Sequence, residues 1–428
     1  MARSRTSHLT SVIAFCAVSF VAVSCTSSRR EGWHDHGRGD IAGALEKWEP
    51  LAEQGDADAQ FLVAVIHDEG QGVARDPQEA ARWYRLAAAQ GHAPAQTNLG
   101  LLHYEGRGVE RSHTEAAQWF ERAAEQGYAR AQANRGVLFL LGQGVAQNHE
   151  QARTLLRLAA QQGDVKAQRL LGSIYREGVG VDPDDAQGAQ WLALAAEQGD
   201  ASAQVLLGIV HFGGAGVLQD DEAAADLFRS AADSGLASAQ FSLGWLYWRG
   251  RGVDQDDASA ALWFGRAAEQ GLPVAQMQIG SMLLSGRGVE RDDARAARWF
   301  ALAADQGFAL AQYDLGLLYT KGQGVERDME LAARWIQRAA DQKLAVAQAR
   351  LGRMLELGRG VGRDDVAAYA WYSASAANGH APADGERERL ARRLDSAQIA
   401  RAEETARNLA DKPESAAGEV AHGMSSTR

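Results

Sequence analysis

Residues 95–128 read AQTNLGLLHYEGRGVERSHTEAAQWFERAAEQGY, and Ala131-Gln132 then starts the same pattern again. Ala-Gln opens it at Ala59, Ala95, Ala131, Ala167, Ala203, Ala239, Ala275, Ala311 and Ala347, each 36 residues after the last. A fixed period of this length means one supersecondary unit stacked on copies of itself, none of which buries its apolar face alone. Function in such an array is expected on a shared surface, not in a pocket.

Five residues after each Ala stands a glycine, Gly100 through Gly352 in phase, with Ala64 as the one substitute. A glycine inside a helix costs about 1 kcal/mol of propensity, so its recurrence predicts two helices approaching too closely there for a Cβ. Gly-x-Gly-Val follows at each period from Gly70 to Gly358, where glycine supplies the left-handed turn that ends a helix. The second helix begins at Asp76, Ser112, Asn148, Asp184 and their in-phase successors to Asp364. Asp, Ser and Asn are interchangeable as N-caps and not as metal ligands or acids, so the variation points to capping. Glu79 and Glu115 stand where they would complete capping boxes, and Pro77 takes a first helical position. Each second helix carries a large residue at Trp83, Trp119, Leu155, Trp191, Leu227, Trp263, Trp299, Trp335 or Trp371, with alanine five residues later. That arrangement predicts large-against-small interlocking of paired helices.

The unit A-Q-x-x-L-G-x-x-Y-x-x-G-x-G-V, followed by D-x-x-x-A-x-x-W-x-x-x-A-A-x-Q-G, closely resembles the Sel-one-like repeat family, relatives of tetratricopeptide repeats. The resemblance covers nine consecutive units, residues 56–379. It implies an all-α, right-handed superhelical solenoid of helix-turn-helix repeats with the first helices lining the concave side. Relatives serve as adaptors in cell-envelope complexes, polysaccharide export and signalling.

Residues 1–24 read as a secretory signal, with Arg3 and Arg5 ahead of an apolar stretch and small residues before Cys25. Ala22-Val23-Ser24-Cys25 resembles a bacterial lipobox, which implies lipidation of Cys25 and, with Thr26 following, an outer-membrane, periplasm-facing location. Cys16 would leave with the signal, and Cys25 would otherwise be a lone thiol in an oxidising compartment. Residues 25–39 then read as a flexible tether, 40–55 as a solitary capping helix, 380–410 as C-terminal capping helices and 411–428 as a disordered tail. The formal charge of −11 falls to −13 once Arg3 and Arg5 are removed. Such an acidic chain without a basic stripe offers no footprint for nucleic acid, and it meets a membrane only through its N-terminal anchor.

Candidate chemistry is thin. The Gly-x-Gly-Val blocks follow no strand and lack the third glycine or lysine of a phosphate loop. His34-Asp35-His36 lacks a third metal ligand and reads as solvated linker. His67, His103 and His211 share a phase with Tyr175, Tyr247 and Tyr319 and read as packing residues, and the Gln60–Gln348 series reads as a buried amide between helices. No cofactor, metal or catalytic residue is expected. Arg135 replaces an apolar core residue and must be paired or snorkel to solvent, while Lys343 replaces a cap glycine and suggests a changed angle between the eighth and ninth units.

The most informative departure from the period lies two, six and nine residues after Ala239. There Phe241, Trp245 and Trp248 fall at i, i+4 and i+7 on a face opposite the packed side, bordered by Ile209, Phe212, Met277 and Tyr313. Clustered aromatics mark a partner site. The reading is a non-enzymatic scaffold binding an envelope protein, a peptide segment or a glycan there, against the alternative that the rings pack on one another. The rival class is a β-lactamase-like or penicillin-binding enzyme, as in cysteine-rich relatives, whose paired cysteines this chain lacks.

Overall fold

The computed structural model describes residues 27–411, and every regular element among them is an α-helix. Cys25, the signal and the tail beyond residue 411 lie outside the described residues. The helices are α1 (Ser27–Gly37) and α2 (Ile41–Glu53), nine pairs from α3 (Ala57–Glu69) and α4 (Pro77–Ala89) to α19 (Ala345–Leu357) and α20 (Asp365–Ala377), then α21 (Pro382–Ala391) and α22 (Ser396–Ala410). They divide into two compact units, residues 1–164 and 165–428, and within each the helix pairs stack in tandem.

Local chemistry sets the ends of each pair. The side chains at Asp76, Ser112, Asn148, Asp184, Asp220, Asp256, Asp292, Asp328 and Asp364 all accept hydrogen bonds from N–H groups of the first helical turn. The boxes expected at Glu79 and Glu115 do not close. Glu79 turns its carboxylate to Arg82, and Glu115 gives only its backbone N–H to Ser112. A capping box forms at α22 instead, between Asp395 and Gln398.

The two glycines of Gly-x-Gly-Val do different work. Gly250 ends its helix in the left-handed conformation (φ 66°) and donates its N–H to Leu246 O at 2.8 Å. Gly252 is also left-handed (φ 66°), and a Cβ there would overlap the Asp221 carbonyl oxygen at the start of the preceding second helix. The second glycine is therefore a joint between successive pairs, a role that helix-capping logic alone does not reveal.

The interlocking knob lies one residue later than expected. Trp83 and Trp371 are buried, but Trp119, Trp191, Trp263, Trp299 and Trp335 are only half-buried, and Arg122, Arg266 and Arg338 lie 4.5 Å from the ring centres of Trp119, Trp263 and Trp335. The residues that enter the first helix are Tyr84, Phe120, Leu156, Leu192, Phe228, Phe264, Phe300, Ile336 and Tyr372, all buried. Each after Tyr84 sits over the helical glycine 20 residues earlier, and a Cβ on Gly244 would stand 2.9 Å from Phe264 Cδ1. The close approach that the glycine phase predicts is real, and this large residue is its counterpart.

The invariant glutamine joins pairs. Gln276 Nε2 donates to Ala268 O (3.2 Å) while its Oε1 accepts from Gln306 Nε2 (2.9 Å), which also reaches Gly271 O (3.0 Å). The same link recurs at Gln90–Gln60, Gln126–Gln96, Gln162–Gln132, Gln198–Gln168, Gln270–Gln240, Gln342–Gln312 and Asn378–Gln348. It breaks once, where Ser234 stands in place of the donor and leaves Gln204 Oε1 buried without a partner. Ser234→Gln should fill that gap. A buried acceptor left unmade costs about 1–3 kcal/mol, so the urea midpoint of the variant should rise by the equivalent of about 1 kcal/mol, and an unchanged midpoint would show that Gln204 has no unmet demand.

The expected flexible tether over residues 25–39 is helical from Ser27 to Gly37, and the helix over residues 40–55 is not solitary. Asp40, Trp48 and Ala52 lie 36 residues before Asp76, Tyr84 and Ala88, and Gly32 packs against Trp48 as Gly100 packs against Phe120. α1 and α2 thus form a shortened pair, with glycine and knob 16 residues apart instead of 20. Buried Arg29 ties it to the next pair through Asp56 and Asp58. Arg135 is paired, 2.5 Å from Glu121. Lys343 keeps the left-handed turn of the glycine it replaces (φ 64°) and donates its Nζ to Ala410 O at 2.9 Å, so the substitution serves the C-terminal helix and not a changed turn.

At the other end, Glu356 is buried on α19, where it accepts from Arg389 (2.6 and 2.6 Å), Arg393 (3.1 Å) and the Tyr372 hydroxyl (3.1 Å). Both arginines come from the α21 segment and the turn after it, so one carboxylate fastens the C-terminal helices to the last pair.

Candidate functional site

Phe241, Trp245 and Trp248 stand on the sixth first helix, α13 (Ala237–Arg249), on the side away from buried Leu243, but not opposite Gly244 as the sequence suggests, because Phe241 and Trp248 lie one helical turn before and after that buried glycine. All three are half-buried, not freely exposed. Phe241 lies 5.4 Å from the ring of Phe264 and so belongs partly to the core. Trp245 meets Phe212 edge-on at 5.6 Å, which joins α13 to the preceding first helix, α11 (Ala201–Gly213). Ile209 on that helix is 46% exposed. Phe241, Trp245, Trp248 and Met277 all pack against the core of pairs six to eight, and Tyr313 packs against that of pairs eight and nine. The structure therefore brings Phe212, Trp245 and Trp248 into one surface with Ile209 beside it, and leaves Met277 and Tyr313 as flanks.

Sequence reading missed the arginines that complete this surface. Arg251 lies 3.9 Å over the Phe212 ring, and Arg249 lies 4.5 Å from Trp248 and 5.5 Å from Trp245. Arg287 approaches Trp248 at 5.6 Å. Guanidinium groups over aromatic faces are attracted by the ring quadrupole, worth about 0.5–1 kcal/mol at exposed sites. Arg251 and Arg287 share a sequence signal, since each sits between the two glycines of its loop. That residue reaches back over the helix-end residue 39 positions earlier, as Gln143 does when it accepts from the Tyr104 hydroxyl at 2.9 Å.

Arg251 and Arg287 are also held by carboxylates at the start of the preceding second helices, Arg251 by Asp221 (2.8 and 2.7 Å) and Arg287 by Asp257 (2.6 Å). The Arg251 hydrogen bonds hold Asp221 below the usual carboxylate range. Arg249 makes no ion pair among the described residues. Further along the first helices, Asp314 is half-buried, and burial pushes its carboxyl up to about 6 against the opposing charge of Lys321.

Elsewhere the first unit holds an open cleft of about 410 Å³ lined by Asp68, Arg75, Tyr84, Asn98, Arg107 and Arg130. Four of its polar groups are paired with each other, Arg107 with Asp68 and Asn98 Nδ2 donating to the Tyr84 hydroxyl at 3.0 Å. His36, from the possible metal pair, lies 3.0 Å from Gln71 Oε1, and His34 points to solvent. Among the described residues no cluster of three or more His, Cys, Asp or Glu could hold a metal, and no helix is long and apolar enough to cross a membrane.

The Sel1 repeat model matches nine consecutive segments, from residues 57–92 to 345–380. Two solved structures are similar over much of their length. One is a protective antigen present in uropathogenic Escherichia coli strains and displaying an SLR fold, with 30% identity over 94% of this chain and 95% of that one, at a TM-score of 0.56. The other is a Sel1 repeat protein from Oxalobacter formigenes, with 34% identity over 74% of this chain and 93% of that one, at 0.58. No curated protein shows significant similarity to the chain.

Proposed function

Because the chain belongs to the Sel1 repeat family, whose stacked helix pairs generally serve as protein-interaction scaffolds, we propose that it is a non-enzymatic scaffold of the bacterial cell envelope. Its partner, an envelope protein or peptide segment, docks on the first-helix surface around Trp245 and Trp248. The observation that carries this reading is the departure of pair six from its siblings. The phases of Phe241, Trp245 and Trp248 hold three aromatics there, whereas the same phases of pair three hold Ala133, Val137 and Leu140. Core packing in pair three is met without those rings, so core packing alone does not call for them.

Two observations support the envelope location: the signal-like N-terminus ending at Cys25, and the likeness over almost the full chain to a protein described as a protective antigen. The enzymatic alternative is weaker, since its cysteine-rich relatives depend on paired cysteines and this chain has two cysteines, Cys16 and Cys25, the first inside the signal.

The test is crosslinking in intact bacteria followed by fractionation, with wild type and the Trp245→Ala, Trp248→Ala double variant side by side. Aromatic anchors at interfaces contribute at least about 2 kcal/mol, so the variant should lose about thirtyfold in partner affinity while keeping its helix content. Wild type should sediment with the membranes. Equal capture by both proteins would move the site elsewhere, and unfolding of the variant would make the two indoles core residues.

A further inference from the structure

We propose that the docking surface of the second unit is built for an acidic peptide segment, with Arg249 as its first carboxylate contact. This deepens the scaffold reading and rests on it.

Charge is segregated along the period. Over residues 165–380, the first-helix segments through the second glycine, starting with 165–180 and recurring every 36 residues, hold ten Lys and Arg against three Asp and Glu. The second-helix segments between them hold ten against twenty-four. One of the three acids, Glu356, is buried and consumed by Arg389 and Arg393, and another, Asp314, is half-buried beside Lys321. The first-helix segments of this unit thus carry more base than acid, with Arg169, Arg176, Arg251 and Arg287 paired to second-helix carboxylates. Exposed Arg249, Arg353 and Arg359 make no ion pair among the described residues, so their charge remains available to a partner.

The geometry selects the kind of anion. A sugar ring would stack on the open face of an indole, but the faces of Trp248 and Phe212 are approached by Arg249, Arg287 and Arg251 at 3.9–5.6 Å. A guanidinium lying over a ring keeps its N–H donors in its own plane, pointing outward, where they match a carboxylate in bidentate fashion. With Arg251 and Arg287 already held by Asp221 and Asp257, Arg249 is the donor left for a ligand. Ile209, 46% exposed beside Phe212, supplies the apolar contact that makes an acidic segment with large side chains fit better than a uniformly charged one. Complementary charge of this kind sets specificity and on-rate.

The experiment titrates the purified full-length protein with four probes and follows tryptophan fluorescence and calorimetry. The probes are a blocked peptide of alternating Glu and Phe, its Gln–Phe and Lys–Phe counterparts, and polygalacturonate as an acidic glycan. The Glu–Phe peptide should bind at least tenfold more tightly than the Gln–Phe peptide and weaken as salt rises. Arg249→Gln with Arg353→Gln should lose at least tenfold for the Glu–Phe peptide at an unchanged melting temperature. The salt and peptide comparisons on wild type stand even if that variant folds poorly. Equal binding of the Glu–Phe and Gln–Phe peptides, both lost in Trp245→Ala with Trp248→Ala, would overturn the acidic partner and leave the docking surface standing. Binding of polygalacturonate alone would overturn the peptide in favour of a glycan, and no binding of any probe would overturn both readings.

Discussion

Phe264→Ala should lower the stability of the second unit by about 3–5 kcal/mol, the usual cost of truncating a buried Phe. Its ring is 1% exposed and lies against Gly244 on the facing helix. A glycine backbone has no side chain that could swing in to fill the space, so the cavity should persist. Trp263→Ala, one residue earlier, should cost less, about 1 kcal/mol, because that indole is half-buried at the edge of the core and is covered by the Arg266 guanidinium 4.5 Å away. Urea unfolding of the two variants side by side checks this. Equal costs, or a larger one for Trp263, would mean that the wrong member of the pair has been assigned to the interface. Each pair contacts mainly its neighbours, so the loss in Phe264→Ala should appear in hydrogen exchange as faster opening of pairs five to seven before the remainder.

The second large effect is expected at the C-terminal lock. Arg389→Ala with Arg393→Ala leaves the Glu356 carboxylate buried, its side chain 5% exposed, with only the Tyr372 hydroxyl to donate to it. Removing the partners of a buried charge typically costs about 3–5 kcal/mol, and the lower end is expected because Tyr372 remains. In the native protein the Arg389 hydrogen bonds hold Glu356 below the usual carboxylate range despite its burial. A lowered folded pKa gives stability that is complete above the unfolded value of about 4.3 and is lost as pH falls through the folded one. Without the arginines, burial dominates and raises the pKa, so the sign reverses and the double variant should regain protection on acidification below neutral pH. Hydrogen exchange over residues 382–410 as a function of pH reads both. A double variant with the wild-type pH profile would show that Glu356 does not fasten these helices.

Much of this could be read along the chain because it is local. A cap needs only Asp, Ser or Asn before an apolar helix, and the first glycine of each loop needs only a left-handed turn; both are met within a few residues, so period, helix starts and helix ends are legible without knowing what packs where. The C-terminal helices follow the same logic. The shortened first pair was equally written in the chain, in Asp40 at the cap phase and Gly32 ahead of Trp48, but the loss of four residues put α1 out of phase with the 36-residue period.

What could not be read locally concerns direction and distance. Neighbouring residues of a helix point about 100° apart, and Trp263 and Phe264 are both large and apolar, so composition does not say which meets the partner helix. The facing Gly244 decides it, and places Phe264 inside. The arginines of the candidate site lie beyond any helical pattern for a related reason. Arg251 and Phe212 are 39 residues apart and meet because the second glycine of the loop, Gly252, admits no Cβ and lets the turn settle onto the start of the preceding second helix. Repetition along the chain determines that helix pairs within a unit will stack on one another; the closeness of that stacking, set by backbone meeting backbone, determines which side chains of neighbouring pairs share a surface.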